Sequence, residues 1–372
     1  MAVNREECSV AKPIRVGIIG ASAEGGWARD GHVPAVQALD GLEFAAVATN
    51  SQRTADASAR AFGVAAAYGN GMDLIRAPGI DLVTVATRVP DHRELVLAAL
   101  AAGKHVYCEW PLGAGIAEAE EMAAAAHAAG VHAAIGLQLR GSPVVRRARV
   151  LIASGAVGRV LSVSTYSATA GFGPDVPAPF VYLEAPENFA NLVTIQGAHT
   201  VDLAIAVTGA LADLAALATA QYPEIRAGAN GERRPRTTFD HLLLQGRLAR
   251  GGALSVEVAG GRPPETPFRL EVVGEAGILR LDGGAARGFQ SGQLTLSLNG
   301  VPQVVDEGEL AAMPDAATNV AGVYAALRDD IAGGTFTVAG FDHAVRLTRL
   351  VSDLLESSRT GSRTQAVNWP EQ

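Results

Sequence analysis

The chain has 372 residues, of which 48% are hydrophobic and 18% charged, and its formal net charge is -8 at pH 7. This length exceeds one ordinary domain and the apolar content is enough for large cores, so we expect two folded domains and no extensive disorder. Charges of both signs are interspersed along the chain, which argues against a nucleic-acid partner.

The N-terminal residues MAVNREECSVAKP are charged and lack the apolar core of a signal peptide. Gly, Arg or Asp interrupts every apolar stretch before the roughly 18 residues that a membrane span needs. The two cysteines, Cys8 and Cys108, lack metal-ligand spacing, so they indicate reduced thiols and no metal site. These features predict a cytoplasmic protein with no membrane partner.

Short apolar runs alternate with helical patterns in the first third of the chain. The predicted strands are 14–20, 43–49, 81–87, 105–109 and 132–138, and the predicted helices between them are 53–63, 91–103 and 117–130. Continuous apolar runs are typical of buried parallel strands, and the intervening helices indicate βαβ units with right-handed crossovers. Residues 1–140 are therefore predicted to form a doubly wound Rossmann domain of the α/β class.

After residue 150 the predicted strands alternate in sidedness and are joined by glycine-containing turns. They are 159–169, 241–248, 253–260, 268–274, 277–283 and 293–300. This pattern predicts a large, mostly antiparallel sheet in an α+β domain for substrate binding or oligomerisation over residues 141–340. One helix is expected at 197–209, between the first two strands.

The last predicted helix, 343–361, has leucine and valine on one face and Gly361 as its C-cap. Segment 341–372 is expected to pack back on the N-terminal domain. Two segments rich in glycine with proline or arginine, 171–190 and 224–238, are predicted to be mobile loops.

The turn after the first strand reads GASAEGGWA, residues 20–28. Gly20 suits the tight bend of a dinucleotide-binding turn, Ser22 the close approach to a pyrophosphate, and Gly25 or Gly26 the contact between helix and strand. The spacing is one residue looser than G-x-G-x-x-G, and an ordinary glycine turn is the alternative. With Ala23 and Trp27, these residues are the predicted phosphate-side contacts of the cofactor.

The end of the second strand reads TNSQRT, residues 49–54, without the carboxylate that binds the ribose 2′-hydroxyl of NAD. Ser51 and Arg53 suit a 2′-phosphate instead, so we expect NADP, with NAD as the alternative. Arg53 is equally compatible with a solvated position at the start of a helix.

Together with DLVTVATRVPDHRELVLAALAAGKHVYCEWPLG, residues 81–113, these features resemble the glucose–fructose oxidoreductase, inositol dehydrogenase and MocA family over nearly the whole chain. The resemblance is strongest to the branch that contains the galactose-regulon repressor of yeasts. The segments shared with that branch are GASAEGGWA, EWPL, SPVVRRA, GAHTVD and DHLLLQGRLARGG. The branch holds dinucleotide-binding proteins that act as sensors rather than catalysts.

Enzymes of this family carry Glu-Lys-Pro after the strand that ends at Glu109, with a cis bond before the proline and a lysine that helps to shuttle the proton. They also carry an Asp and a His four residues apart on a helix of the second domain. The resemblance places Trp110 on the lysine, Ile195 on the aspartate and His199 on the histidine. Glu109, Pro111 and His199 are thus retained, while the lysine and the aspartate are replaced.

An indole has no transferable proton near neutral pH, so Trp110 cannot replace the lysine as acid or base. We expect it to offer an apolar wall and one hydrogen bond to substrate or nicotinamide ribose, with a simple core position as the alternative. His199 is then the candidate acid/base, because its ordinary pKa suits proton transfer. Asp202, on the same helical face, could orient that ring or pair with an arginine.

Topology and resemblance together predict the remaining contacts. The expected cofactor contacts on the nicotinamide side are Thr87, Arg88, His92, Glu109, Trp110 and Gln138, and the expected substrate contacts are Arg140, Tyr182, Asn188, Asn191 and His199. The catalytic set is His199, Trp110 and Glu109. Each of these residues lies at, or just beyond, the end of a predicted strand or beside the His199 helix.

Two functions follow from this pattern. The first is an NAD(P)-dependent oxidoreductase that interconverts a hydroxyl and a carbonyl on a sugar or related polyhydroxylated small molecule. The alternative is a non-catalytic dinucleotide-binding regulator that meets a protein partner. The resemblance also implies a homodimer or homotetramer formed through the C-terminal sheet.

Overall fold

The computed structural model describes residues 12–262, 265 and 267–365. Its first sheet is entirely parallel, in the order β3-β2-β1-β4-β5-β6. The strands are β1 Ile14–Ile19, β2 Leu42–Ala48, β3 Ala66–Tyr68, β4 Leu82–Val85, β5 His105–Glu109 and β6 Ala133–Gly136. The predicted doubly wound Rossmann sheet is confirmed, and β3 is an additional strand too short to be recognised from its pattern.

Helices cover both faces of this sheet. They are α1 Val33–Ala38, α2 Gln52–Phe62, α3 Gly71–Arg76, α4 Val89–Ala101 and α5 Ile116–Ala129, and a wider helical turn at Ala28–His32 leads into α1. Gly63 and Gly130 end α2 and α5 in the left-handed conformation, with φ of 70° and 63°, as expected for glycine at a helix end. Cys108 lies buried in β5, where burial raises the pKa of its thiol, and Cys8 lies outside the described residues.

The second domain follows helix α6, Pro143–Ala153, and contains helix α7, Ala198–Thr208. Its strands are β7 Val160–Ala168, β8 Asp175–Val176, β9 Leu211–Thr219, β10 Glu224–Ala227, β11 Glu232–Pro235, β12 His241–Leu248, β13 Ala253–Ala259, β14 Phe268–Gly274, β15 Ile278–Gly283, β16 Leu294–Leu298, β17 Val301–Pro302 and β18 Thr364–Gln365. Nine strands form one sheet, β17-β16-β15-β14-β7-β13-β12-β9-β18. Within it only β7 and β13 pair in parallel, so the mostly antiparallel sheet is confirmed.

Segments 171–190 and 224–238, which were predicted to be mobile loops, contain regular secondary structure. Strands β8, β10 and β11 form a separate three-stranded sheet, and a 3₁₀ helix occupies Ala178–Glu184. The buried guanidinium of Arg236 lies 3.3 Å from Glu184 and 3.4 Å from Asp240. Buried charges of this kind must be paired, and the pair of Arg236 with Glu184 holds the two segments against each other.

Two long helices complete the described chain, α8 Asp315–Gly333 and α9 Phe341–Thr360. Helix α8, within the range assigned to the second domain, packs on the first: its Val320 and Tyr324 share a buried cluster with Val16 of β1. Helix α9 packs on α5 of the first domain and on β9 of the second. Helices α8 and α9 therefore join the two domains. Across the described ranges, no helix is long and apolar enough to cross a membrane.

Candidate functional site

The site lies at the carboxyl ends of β1 and β4, adjacent strands between which the chain crosses to the other half of the sheet. Doubly wound sheets bind ligands at such a switch point. Gly20 follows β1 with φ of 98°, and a Cβ atom there would lie 2.4 Å from the Ala86 carbonyl oxygen after β4. Only glycine therefore fits the bend.

The glycine-rich turn is held partly by its own groups. The Ser22 carbonyl accepts a hydrogen bond from the Gly25 N–H at 3.3 Å, and the Ser22 hydroxyl accepts one from Glu24 N–H at 3.2 Å. The Ala23 N–H donates to Ser58 Oγ of α2 at 3.0 Å. Ser22 and Ala23 thus shape the turn, while Gly25 and Gly26, with φ of 148° and 112°, carry its reversal.

Trp27 follows the turn and stands between it and the second domain. The Arg287 guanidinium lies 5.2 Å from the centre of its ring, within cation–π range. The indole Nε1 is buried, and no described residue accepts its hydrogen. Trp27 therefore presents one unsatisfied donor beside the predicted pyrophosphate position.

At the end of β2, Ser51 serves as the N-cap of α2, a role beyond the predicted phosphate contact. Its hydroxyl oxygen lies 3.3 Å from the Thr54 N–H and 2.7 Å from the Thr54 hydroxyl. Serine is a favoured N-cap residue, so its place just before the helix was the available signal. Arg53 is exposed in the first turn, and no carboxylate of the described chain pairs with it. Of the two predicted 2′-phosphate ligands, Arg53 is the one left available.

The end of β4 supplies Thr87 and Arg88, and α4 supplies His92. The Thr87 hydroxyl is buried without a partner in the described structure, whereas the Arg88 guanidinium lies 5.7 Å from the ring centre of Tyr182. His92 differs from expectation. Its Nδ1 lies 2.9 Å from the Pro111 carbonyl and its Nε2 3.2 Å from the Thr87 carbonyl. Both ring nitrogens face backbone carbonyls rather than the cofactor position, and a neutral ring donates to one of the two carbonyls.

Glu109, at the end of β5, belongs to a buried polar chain. Its carboxylate accepts from Gln138 Nε2 at 2.8 Å and lies 3.0 Å from His32 Nε2. His32 Nδ1 in turn lies 2.9 Å from the Tyr324 hydroxyl. Glu109 is therefore an anchored negative charge rather than a mobile group. The sequence held no signal for His32 or Tyr324, because they are distant from Glu109 along the chain.

Trp110 is 5% exposed and precedes Pro111 through a cis peptide bond, as the resemblance implied. Its indole N–H donates to the Thr194 carbonyl oxygen at 2.7 Å. The expected hydrogen bond from Trp110 to a substrate or ribose is therefore wrong, because its only donor is already used. The ring joins the buried cluster that spans both domains, and only the apolar-wall role remains for it.

His199, on α7, is 5% exposed, and no described residue hydrogen-bonds to its ring. Burial lowers its pKa to about 4, and the nearby charges of Glu109 and Asp202 offset only part of that effect. The ring is therefore neutral at pH 7, with one nitrogen able to donate and the other able to accept.

Asp202 does not orient His199; it forms the arginine pair that was the other expectation. Arg140 donates to its carboxylate through Nε and Nη2, each at 2.8 Å, and His343 Nε2 lies 2.7 Å away. Burial opposes ionisation, but the charges and hydrogen bonds of Arg140 and His343 hold the pKa of Asp202 well below its usual range. Arg140 is thus paired with a buried carboxylate, and its predicted substrate contact stays a prediction.

Asn191 and Asn188, two further predicted substrate contacts, form side-chain hydrogen bonds to the protein backbone. Asn191 Oδ1 accepts from the N–H groups of Val193 and Thr194, at 3.0 and 3.2 Å, and so caps the helical segment that leads to His199. Asn188 Nδ2 donates to the Tyr182 carbonyl at 2.7 Å. Burial raises the pKa of the Tyr182 hydroxyl. The two asparagine side chains therefore hold the segment that leads to α7. They do not converge on one substrate position. We call the space between the glycine-rich turn and His199 the cleft. No cluster of described His, Cys, Asp and Glu residues is arranged to hold a metal ion.

Comparison with known proteins agrees with this geometry. Residues 14–137 match the model of the oxidoreductase family with an NAD-binding Rossmann fold, and residues 143–283 match the Gal80p C-terminal domain. The galactose/lactose metabolism regulatory protein GAL80 of Saccharomyces cerevisiae is 30% identical over 295 residues, covering 74% of this chain and 68% of that protein. Dehydrogenase aclE of Aspergillus oryzae is 30% identical over 289 residues, covering 74% and 78%.

Among solved structures, a super-repressor mutant of Gal80p from Saccharomyces cerevisiae superposes with a TM-score of 0.84 at 26% identity, covering 95% of this chain and 98% of that one. The similarity therefore extends over both domains. The chain belongs to the oxidoreductase family of glucose–fructose oxidoreductase, inositol dehydrogenase and MocA, which has an NAD-binding Rossmann fold.

Proposed function

We propose that the protein is an NAD(P)-dependent oxidoreductase that interconverts a hydroxyl and a carbonyl on a sugar or related polyhydroxylated small molecule. The observation that carries the proposal is His199, a buried imidazole to which no described residue hydrogen-bonds. A fixed ring with unused hydrogen-bonding capacity suits a reacting oxygen as its partner. One relative, aclE, is named as a dehydrogenase.

Three buried polar atoms support the binding of a nicotinamide dinucleotide between the glycine-rich turn and His199. Trp27 Nε1, Thr87 Oγ1 and Gln138 Oε1 are buried polar atoms without partners in the described structure, and such atoms are rare unless a ligand or water satisfies them. Gly20 allows the turn after β1 to approach the backbone at the end of β4, where a side chain would collide with the Ala86 carbonyl. The bound cofactor would supply or accept the hydride. Exposed Arg53 favours the 2′-phosphate of NADP.

In this proposal His199 reacts from its neutral form, because its pKa of about 4 keeps the imidazolium rare at pH 7. When a hydroxyl is oxidised, the unprotonated ring nitrogen accepts its proton, and the imidazolium so formed returns a proton to the oxygen when the carbonyl is reduced. Glu109, anchored by His32 and Gln138, adds a negative charge that favours a proton on His199. Trp110 excludes water from one side of the pocket.

The test follows NADPH and NADH oxidation, and the reverse reaction with NADP and NAD, over panels of sugars, polyols and their carbonyl derivatives. We expect turnover in the wild type and a loss of about 10²–10⁴-fold in kcat for His199→Ala, the usual contribution of general acid–base groups. His127→Ala changes an exposed histidine outside the cleft and serves as the matched control. Equal rates in wild type and His199→Ala would remove the proposed role.

A second function has its own support in the substrate half of the cleft. Trp110 occupies the lysine position with its N–H committed to Thr194, and Arg140 and Asp202 are committed to each other. This arrangement, together with the named regulatory role of the relative GAL80, favours a dinucleotide-binding regulator. Saturable NADPH or NADH binding with no turnover of any tested compound would select the regulator over the enzyme.

We also propose that two copies pair through the open face of the nine-stranded sheet. Leu243 of β12 lies opposite Leu217 of β9, and both are largely exposed. The row continues through Glu257 and Tyr166 to Arg269, so apolar and complementary charged groups share one flat surface. Paired sheets of this kind bury such a row around a twofold axis.

Sedimentation analysis tests this pairing. We expect a dimer or tetramer for the wild type and smaller species for Leu243→Asp, because a carboxylate in a buried apolar row is unpaired. Val304→Asp is the control, since Val304 is 95% exposed and lies outside the row. A monomeric wild type would contradict the proposal.

A further inference from the structure

A chain of three hydrogen bonds runs from the core of the first sheet to Glu109. Thr84 Oγ1, on β4, lies 2.7 Å from the Tyr324 hydroxyl of α8. The same hydroxyl lies 2.9 Å from His32 Nδ1, and His32 Nε2 lies 3.0 Å from Glu109 Oε1. Thr84, Tyr324 and His32 are fully buried, so water does not compete for their bonds.

The carboxylate of Glu109 sets the direction of this chain. A carboxylate only accepts hydrogen bonds, and Gln138 Nε2 already donates to it at 2.8 Å. His32 must therefore donate from Nε2, and a neutral ring that donates there can only accept at Nδ1. Burial raises the pKa of the Tyr324 hydroxyl, so Tyr324 keeps its proton and can donate it to His32. The Thr84 hydroxyl then donates to Tyr324, and every bond of the chain points toward Glu109.

The far end of the chain is closed. Thr84 lies on β4, which pairs with β1 on one side and β5 on the other. Among the described residues, no hydrogen bond continues the chain beyond Thr84. A chain with a closed end cannot deliver a proton to water. Its fixed direction can instead hold the group at its other end in place.

The position of Glu109 matters because its charge acts on His199. The charges of Glu109 and Asp202 both raise the pKa of His199, against the larger effect of burial. Asp202 is paired with the Arg140 guanidinium. Glu109 is held by an amide and an imidazole instead, so no guanidinium balances its negative charge. A displacement of this carboxylate would therefore change the electrostatic support of the candidate acid/base.

Tyr107 provides an internal comparison for Tyr324. Both tyrosines are fully buried, and their ring centres are 4.8 Å apart. The Tyr107 hydroxyl has no partner in the described structure, whereas the Tyr324 hydroxyl bonds to two residues. Removing each hydroxyl in turn therefore separates the loss of a buried oxygen atom from the loss of the chain.

We propose that Tyr324 and His32 are positioning residues for Glu109. The Tyr324 O–H holds the His32 ring with its Nε2–H toward the carboxylate, and His32 holds the carboxylate where its charge acts on His199. Both residues act through Glu109 rather than on the substrate. The effect on turnover rests on the proposed redox function, whereas the direction of the chain requires neither cofactor nor turnover.

The direction is tested by NMR on the full chain with ¹⁵N-labelled histidines, at pH 8, above the ordinary pKa of histidine. The His32 signals are identified by their absence in His32→Gln. We expect a neutral wild-type ring with its proton on Nε2. The Nδ1 signal should shift in Tyr324→Phe and stay in place in Tyr107→Phe, because only Tyr324 donates to Nδ1. An Nδ1–H tautomer or an imidazolium in the wild type overturns the proposal, as does an equal response to both tyrosine variants.

Turnover tests what the chain does for the reaction. His32→Leu removes a donor from Glu109 and should lower kcat by up to about 10²-fold with little change in KM, the effect of a misplaced group. His32→Gln keeps an N–H near the position of Nε2 and should retain most of the rate. Tyr324→Phe should lower kcat about tenfold, the equivalent of one hydrogen bond, and Tyr107→Phe should not.

Equal losses in His32→Leu and His32→Gln, or equal rates in the two tyrosine variants, would contradict the positioning role. Melting curves confirm that each variant is folded before its rate is interpreted. A wild type without turnover contradicts the proposed redox function, and the NMR outcomes then decide the chain by themselves.

Discussion

The two halves of the cleft differ in how their polar groups are used. On the dinucleotide side, Trp27, Thr87 and Gln138 each keep a buried polar atom without a partner in the described structure, and Arg53 is exposed. On the substrate side, Trp110 and Arg140 are bound to protein groups, and His199 alone keeps its ring free of hydrogen bonds to described residues. The polar groups of the cofactor half are thus available to a ligand, whereas most of those in the substrate half are used in bonds within the protein.

The largest expected effect lies in the cofactor half. Gly20→Ala places a Cβ atom 2.4 Å from the Ala86 carbonyl and should abolish detectable NADPH binding, measured by fluorescence titration. Gly103→Ala is the control for backbone strain, since Gly103 also has positive φ but no atom within 4 Å of an added Cβ. Normal cofactor binding by a folded Gly20→Ala variant would place the dinucleotide elsewhere.

The second effect concerns stability in the substrate half. Asp202→Asn leaves the buried Arg140 without its counter-charge and should lower the free energy of unfolding by about 3–5 kcal/mol, as for other broken buried pairs. Chemical denaturation measures the loss, and Asp40→Asn, at an exposed aspartate, should change little. If Asp202→Asn instead keeps its stability and alters only the KM for substrate, Asp202 belongs to the binding machinery.

The third effect separates the two cofactors. Arg53→Ala should weaken NADPH binding by about 1.5–3 kcal/mol, the usual contribution of a hydrogen bond to a charged group, and leave NADH binding nearly unchanged. Arg60→Ala alters another exposed arginine of α2 and is the control. Equal weakening of NADPH and NADH would eliminate the 2′-phosphate contact.

The smallest effect is a pH dependence. His199 has a pKa of about 4 in the folded chain and about 6.5 when unfolded, so the unfolded state binds the proton first as pH falls. The contribution of His199 to the free energy of unfolding is therefore fully present above pH 6.5. It is lost as pH falls toward 4, and the loss reaches about 2 kcal/mol at pH 5. His199→Asn should lose less stability than the wild type between pH 7 and 5. Parallel losses in both would show that the ring is not buried in its neutral form.

The order of elements along the chain was largely predictable. Continuous apolar runs specify β1, β4 and β5 because both faces of a parallel sheet are covered. Strand β9, LADLAALAT, was not predicted, because its alanines do not form the regular alternation of apolar and polar residues that indicates a strand. Helix α8 escaped because its buried residues face the first domain, and no local pattern reports packing between distant segments.

The sequence by itself determined the glycine-rich turn, because its bend depends on residue types at short spacing, and the resemblance to the family assigned Trp110, Ile195 and His199 to their positions. Only the tertiary structure decided which of those groups are engaged. Thr194 takes the Trp110 N–H, Arg140 and His343 take Asp202, and His32 and Gln138 hold Glu109. Each partner comes from a different part of the chain, and hydrogen bonding depends on distance in space rather than in sequence.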